Sequence, residues 1–195
     1  MSWKTKIFQH HSNKSFEKIA LEIFKYQATN NLVYKQYIQN IDLEVSHVKS
    51  LCDIPFLPIQ LFKSHAVTCH SSNHQATFTS SGTGGKTSSH MVWDLSVYET
   101  SFIHSFTHFY GPIEDYTILA LLPSYLERSD SSLVYMCDRL MKQSAKPENG
   151  FYLKNHDKLY QQIKKLEKEG KKSILIGVSF GLLDFIEQKK LKLNH

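Results

Sequence analysis

Short apolar runs alternate with amphipathic helical segments from residue 75 onward, and this alternation limits the fold more than any other feature of the sequence. TILALLP at 117–123 and KSILIGV at 172–178 are continuous in apolar residues, which is typical of strands buried on both faces. Helical segments follow them at 131–143 and 179–190. Because strands that alternate with helices form helix-covered parallel sheets, the sequence predicts an α/β fold with a mostly parallel sheet.

The first 74 residues are predicted to be helical instead. Ser15 can cap a helix whose apolar residues recur at amphipathic spacing, namely Phe16, Ile19, Ala20, Ile23 and Phe24. LVYKQYIQ at 32–39 continues the helical pattern, and prolines make the segment after it irregular. With 195 residues and 41% hydrophobic content, we expect a single domain with a helical entry segment at 1–74 and an α/β region at 75–195.

Charge and cysteine content narrow the class of protein further. The net charge is +5, but the lysines concentrate at 164–172 and 187–195, where glutamates interleave with them as on a solvated helix face. The three cysteines are widely spaced, which fits reduced thiols. The longest aliphatic run, ILALL, is too short to cross a bilayer. We therefore expect a cytoplasmic protein with no nucleic-acid partner and no membrane span.

A glycine- and hydroxyl-rich segment, FTSSGTGGKTSSH at 78–90, has the composition of a phosphate-binding loop. A Walker loop would need glycine where Ser80 stands and a helix that begins at the lysine. A dinucleotide fingerprint would need glycine where Thr87 stands. The remaining catalytic candidate is the loop of adenylate-forming enzymes, which holds the β- and γ-phosphates of ATP with backbone N–H groups and hydroxyls. A surface loop rich in glycine and serine explains the composition equally well.

Residues 78–85, with Ser89 and His90 shortly after them, resemble the phosphate loop of LuxE-type acyl-protein synthetases, the long-chain-fatty-acid ligase component of bacterial bioluminescence. These enzymes belong to the AMP-forming acyl-activating superfamily and are related to phenylacetate–CoA ligases. Three further segments resemble the same family in the same order: ALEIFKYQATNNLVYKQYI at 20–38, DIPFLPIQLFKSH at 53–65 and GKKSILIGVSFGLLDF at 170–185. The resemblance implies part of the N-terminal domain of an adenylating enzyme.

The resemblance also implies an activity, namely ATP-dependent conversion of a fatty or other carboxylic acid to an acyl-adenylate, followed by acyl transfer by an acid–thiol ligase. ATP and Mg²⁺ would be the cofactors, and a protein that accepts or donates the acyl group would be a partner. The implied phosphate-binding residues are Thr79, Ser80, Ser81, Gly82, Thr83, Gly84, Gly85, Lys86 and Thr87. The superfamily usually has a second threonine at the position of Gly84 and a Pro-Lys pair after the loop, so a phosphate contact of Lys86 stays open.

Several motifs of the superfamily have no counterpart before His195. These are the later adenine, ribose and magnesium motifs, the C-terminal lysine, and the acyl-accepting cysteine. We therefore expect the chain to be the N-terminal part of a longer enzyme, or a truncated relative that acts as a non-catalytic binding module. Exchange of pyrophosphate into ATP is not expected from these 195 residues alone.

Residues after the two apolar strands are candidates for an acyl pocket. After the first strand, the resemblance to adenylating enzymes implies an aromatic side chain near the acyl site, and after the second, small residues at the carboxyl end of a strand suit a pocket in an open α/β sheet. The candidates are Tyr125, Ser179, Phe180 and Gly181. Ordinary turns and tight helix–sheet packing explain these residues equally well. No metal site is predicted, since the cysteine and histidines of CHSSNH at 69–74 match no common zinc spacing.

Overall fold

The computed structural model describes residues 3–9, 12–70, 73–80, 87–123 and 127–191. The chain divides into two units, Met1–Tyr98 and Glu99–His195, and the boundary falls within one helix. Each unit has its own buried core and its own small sheet.

The first unit combines helices with one pair of strands. Its α-helices are α1 at Trp3–Ile7, α2 at Asn13–Asn30 and α3 at Leu32–Asn40. Short 3₁₀ helices follow at Val45–His47, Leu51–Asp53 and Ile59–Lys63. The strands are β1 at Ala76–Thr79 and β2 at Ser89–Val92.

Helices α2 and α3 confirm the helical N-terminal segment, and Asn31 forms the corner between them. The backbone N–H of Asn31 donates to the carbonyl of Gln27, and its side-chain Oδ1 accepts from the backbone N–H of Tyr34 at 3.2 Å. Asn31 thus closes α2 and caps α3. The prediction that Ser15 caps α2 is wrong, because the helix begins earlier and Ser12 accepts the capping bond from the backbone N–H of Ser15.

The second unit alternates helices and strands. Its helices are α4 at Leu95–Tyr110, which begins in the first unit, α5 at Ser132–Ser144, α6 at His156–Lys168 and α7 at Ser179–Lys189. A 3₁₀ helix lies at Ile113–Asp115. The strands are β3 at Thr117–Leu121, β4 at Gly150–Phe151 and β5 at Ser173–Gly177.

The sheet of the second unit is parallel, in the order β4-β3-β5. Strand β3 is central, and all five of its residues are buried, as its continuous apolar sequence predicts. Its register with β5 pairs Thr117 with Ser173 and Leu121 with Gly177. This sheet confirms the α/β class.

Strand β1 differs from the expectation of one mostly parallel sheet after residue 75. It pairs antiparallel with β2 in a separate two-stranded sheet. The reason lies in the connection, since only residues 80–88 join the two strands. A parallel pair needs a crossover of a dozen or more residues, whereas a short connection favours an antiparallel hairpin.

Asn149 ties the start of β3 to the end of α5. Its Oδ1 accepts from the backbone N–H of Ile118 at 2.7 Å, and its Nδ2 donates to the carbonyl of Met141 at 2.8 Å. The hydroxyl of Ser144 donates to the carbonyl of Tyr116 at 2.6 Å beside it. The amide side chain of Asn149 therefore supplies hydrogen-bond partners to backbone groups of both β3 and α5, a strand and a helix that share no β-sheet pairing.

Replacement of Asn149 by alanine is expected to destabilise the second unit. We expect the free energy of unfolding to fall by about 1–3 kcal/mol, because the buried backbone N–H of Ile118 loses its partner, whereas the carbonyl of Met141 keeps the N–H of Ala145. Asn155→Ala is the matched control, because Asn155 is exposed and only caps α6, which is worth about 1 kcal/mol. Denaturant titration followed by circular dichroism measures both, and equal losses would show that Asn149 is no more than a turn residue.

Candidate functional site

The hydroxyl- and glycine-rich segment lies at the tip of the β1–β2 hairpin. The last ladder pair of the two strands is Thr79 with Ser89. Beyond it, the backbone N–H of Ser80 donates to the carbonyl of Ser88 at 3.0 Å, and the backbone N–H of Ser88 donates to Oγ of Ser80 at 2.9 Å. These two bonds close the base of the loop and leave residues 81–87 to connect the strands.

The predicted phosphate-binding residues that the structure describes all lie at this base. Thr79 is half-buried as the last residue of β1, whereas Ser80 and Thr87 are exposed. The other six predicted residues lie outside the described residues: Ser81, Gly82, Thr83, Gly84, Gly85 and Lys86. The described part of the loop therefore exposes two hydroxyl groups.

The chain after the loop continues as a strand and not as a helix. Residues Thr87 and Ser88 lead directly into β2, and α4 begins only at Leu95. A Walker loop places the N-terminus of a helix against the phosphate. The described residues on either side of the segment belong to two antiparallel strands instead.

The residues predicted to form an acyl pocket belong to the second unit. Ser179 and Phe180 are exposed in the first turn of α7, directly after β5, and Gly181 is half-buried beside them. A Cβ atom at Gly181 would meet ordinary contacts of 3.5 and 3.7 Å, so packing does not require glycine there. At Gly177 a Cβ atom would lie 3.0 Å from Leu182, and tight packing explains that glycine. Tyr125 lies outside the described residues.

A pocket of about 870 Å³, which the sequence did not predict, lies in the first unit. Its walls come from α2, from the segment between Leu51 and Phe62, from residues 67–70 and from β2. Strand β2 contributes His90 and Met91, so one strand connects the hairpin loop to the pocket wall. The volume lies within the range of roughly 300–1,000 Å³ that is usual for small-molecule sites.

The polar side chains of the pocket wall bond mainly to one another. Oε1 of Gln27 accepts from Nδ2 of Asn31 at 3.2 Å and from the thiol of Cys69 at 3.1 Å, and the hydroxyl of Tyr34 donates to the carbonyl of Pro55 at 2.6 Å. Burial raises the pKa of Tyr34 to about 12 and raises the pKa of the Cys69 thiol. The described lining contains no aspartate, glutamate, lysine or arginine, and most of its side chains are apolar.

Two aromatic pairs lie where the pocket lining reaches solvent. The rings of His70 and Trp93 stack with centroids 4.0 Å apart, and both side chains are exposed. The rings of Phe62 and exposed His90 stack at 5.8 Å. These rings have an apolar body and, except for Phe62, a polar nitrogen, which suits a boundary between the pocket and water.

The described residues contain neither a metal-binding cluster nor a helix able to span a membrane. No three His, Cys, Asp or Glu side chains come together there to hold a metal ion. None of the helices in the described part of the chain combines the length and the apolar character that a bilayer crossing requires.

Comparison of the chain with protein-family models, with curated proteins and with solved structures gave no match. The LuxE-type assignment therefore rests on the four sequence segments that resemble that family and stays a prediction.

Proposed function

We propose that the chain takes part in ATP-dependent activation of a carboxylic acid as an acyl-adenylate, the reaction of the acyl-protein synthetases that it resembles. The observation that carries the proposal is the position of the hydroxyl- and glycine-rich segment between two antiparallel strands. Two hydrogen bonds between Ser80 and Ser88 join the ends of the two strands, and these bonds fix the positions from which the loop begins and ends.

The chemistry asks such a loop to bind the leaving group. An oxygen of the carboxylate forms a bond to the α-phosphorus, the bond from that phosphorus to the bridging oxygen breaks, and pyrophosphate leaves with the electron pair. Negative charge grows on the β-phosphate during this step, and hydrogen-bond donors placed around it stabilise the transition state. We expect the loop to bind the β- and γ-phosphates and to leave the α-phosphate open to attack.

The described hydroxyls fit this role. Oγ of Ser80 accepts from the backbone N–H of Ser88, which leaves the hydroxyl hydrogen of Ser80 able to donate to a phosphate oxygen. Thr87 is exposed on the other side of the loop base. Each serine or threonine hydroxyl adds a donor with little bulk, so several can surround one phosphate group.

Mg²⁺ is proposed here as part of the nucleotide and not as a resident ion. Mg²⁺ prefers carboxylate oxygens and water together with substrate phosphates. The described residues gather no carboxylate cluster that would hold the ion by itself. The ion would therefore enter bound to the phosphates of ATP, and the loop would bind the magnesium–nucleotide complex.

Calorimetric titration of the protein with MgATP, magnesium tripolyphosphate and AMP tests the proposal. Since the loop is proposed to bind the β- and γ-phosphates, we expect MgATP and tripolyphosphate to bind and AMP to bind at least tenfold more weakly. Thr83→Ala should weaken MgATP binding about ten- to a hundredfold, since a hydrogen bond to a charged group is worth about 1.5–3 kcal/mol.

Thr29→Ala is the matched control for Thr83→Ala, because Thr29 is an exposed threonine on α2. It should leave MgATP binding unchanged. Titration at physiological salt suppresses unspecific binding of polyphosphate to the lysine-rich helices. AMP binding as tight as that of MgATP, or equal affinities of the wild type and Thr83→Ala, would contradict the proposal.

A further inference from the structure

Aromatic side chains are concentrated around the pocket of the first unit. Seven of the 23 described lining residues are phenylalanine, tyrosine or tryptophan, although these types make up 12% of the chain. Phe56, Phe16 and Trp93 are 82%, 55% and 42% exposed, so much of this aromatic surface is in water. A ligand that covers it gains from burial, and an aromatic ligand also gains edge-to-face or offset ring contacts, which a saturated molecule cannot make.

The rings at the border of the pocket present flat surfaces. The rings of His70 and Trp93 lie 19° from parallel with centroids 4.0 Å apart, and both side chains are exposed. The rings of Phe62 and His90 lie 27° from parallel with centroids 5.8 Å apart. A planar molecule can stack on such surfaces or meet them edge-on, so the lining favours a flat aromatic ring.

Gln27 gives the pocket a hydrogen-bond donor whose orientation follows from its neighbours. The backbone N–H of Tyr34 donates to Oδ1 of Asn31, so Nδ2 is the atom of Asn31 that faces Gln27. Because Nδ2 is a donor, the atom of Gln27 that meets it is Oε1, which also accepts from the thiol of Cys69. Among the described residues Nε2 of Gln27 has no partner, and it is therefore able to donate to a ligand.

The charge of the lining restricts the ligand further. Aspartate, glutamate, lysine and arginine are all absent from the described lining. A carboxylate or ammonium group placed there would lose its hydration without gaining an ion partner. A neutral acceptor, such as a carbonyl oxygen, can receive the bond from Nε2 of Gln27 without that penalty.

We propose that the pocket of the first unit binds a neutral, planar aromatic molecule with a hydrogen-bond acceptor that receives the bond from Nε2 of Gln27. This class excludes the carboxylic acids of the proposed function, and the proposal does not require the hairpin loop to bind ATP. Acetophenone is a suitable probe, because it has an aromatic ring, a carbonyl oxygen and no group that ATP could activate as an adenylate.

Calorimetric titration of the wild-type protein with acetophenone and two matched compounds tests the class of ligand. Cyclohexyl methyl ketone has the same carbonyl on a saturated ring, and it should bind about three- to tenfold more weakly because the ring contacts are lost. Benzoate has the same ring with a carboxylate, and it should bind at least about tenfold more weakly. Equal affinity for the two ketones, or benzoate binding as tight as that of acetophenone, would overturn the proposal.

Variants of Gln27 test the donor. Gln27→Leu should weaken acetophenone binding about three- to tenfold and change indole binding by less than about twofold, since the indole nitrogen donates and does not accept. Gln27→Glu keeps an oxygen that accepts from Asn31 and Cys69 but lacks the donor, so it should also weaken acetophenone more than indole. Thermal melting checks that each variant folds. Equal losses for the two compounds, or no loss for either, would overturn the assignment.

Two exposed phenylalanines provide a matched pair of variants for the aromatic border. Phe56 borders the pocket and is 82% exposed, whereas Phe109 lies in the second unit and is 76% exposed. Phe56→Leu replaces a ring by an aliphatic side chain, so it should weaken acetophenone binding about threefold and leave cyclohexyl methyl ketone unaffected. Phe109→Leu should change neither. Equal effects of the two variants would contradict binding at this border.

Thiol protection locates the bound molecule without any substitution. Cys69 lines the pocket and donates to Gln27, whereas Cys52 is exposed and lies outside the lining. Saturating acetophenone should slow the alkylation of Cys69 by N-ethylmaleimide at least about fivefold, because thiol reactivity depends on access, and should leave the rate at Cys52 unchanged. Mass spectrometry of the peptides measures both rates. Equal slowing at both cysteines, or slowing at neither, would show that acetophenone does not occupy this pocket.

Discussion

Gly82→Val is expected to weaken MgATP binding by about a hundredfold or more, a larger effect than that of Thr83→Ala. A single donor lost from a charged phosphate accounts for about 1.5–3 kcal/mol. Valine at the position of Gly82 would also obstruct the approach of the backbone to the phosphates and exclude a positive φ, which glycine alone adopts freely. Calorimetry at physiological salt measures the change in Kd.

Two further variants serve as controls for Gly82→Val. Gly82→Ala should weaken binding less than valine does, because it adds a Cβ without branching. Gly181→Ala should not change MgATP binding, and its Cβ meets only ordinary contacts. Thermal melting checks that each variant folds. A folded Gly82→Val protein with the affinity of the wild type would contradict phosphate binding by this loop.

Phe185→Ala is expected to lower the free energy of unfolding of the second unit by about 3–5 kcal/mol. The Phe185 ring is completely buried and packs with Leu119 and Leu121 of β3 and with Leu159 and Leu166 of α6. Its removal leaves a cavity where a helix meets the sheet. Denaturant titration followed by circular dichroism measures the loss.

Phe180→Ala is the control for this substitution, because both phenylalanines lie on α7 and Phe180 is 86% exposed. Its effect on unfolding should stay within about 0.5 kcal/mol, as for other surface substitutions. Similar losses for the two variants would show that α7 does not direct the Phe185 face to the sheet.

The parallel strands of the second unit could be predicted because the residues of a strand indicate by themselves whether both of its faces are buried. Strand β3 is apolar at nearly every position, and a segment of this length and composition is stable only when both of its faces are covered. The residues of a strand do not show which other strand it pairs with. The antiparallel pairing of β1 with β2 depends on the connection between them and not on the composition of either strand.

The start of α2 shows a second limit. Ser12 and Ser15 both precede an apolar stripe, and either serine satisfies the sequence pattern of a cap. Backbone geometry decides between them, since Ser12 has the extended φ and ψ of a cap and Ser15 lies within the helix. Sequence therefore predicts that a helix is present more securely than it predicts the first residue of the helix.

The pocket of the first unit could not be predicted from any one segment. Its walls combine α2 with residues 51–62, 67–70 and 90–93, and only folding brings them together. Within the apolar stripe of α2, Phe16 is exposed and Ile19 and Ile23 border the pocket. An amphipathic stripe shows that a surface is apolar, but it does not show whether protein or ligand covers that surface.

The proposed function requires the segment between β1 and β2 to bind the phosphates of ATP. Backbone amide chemical-shift mapping by NMR during titration with MgATP tests it most directly, because it reports which residues the nucleotide reaches. We expect the largest shifts within residues 79–88 and much smaller shifts with AMP at the same concentration. Shifts concentrated in the lysine-rich segment 164–172, with none at the hairpin, would contradict it.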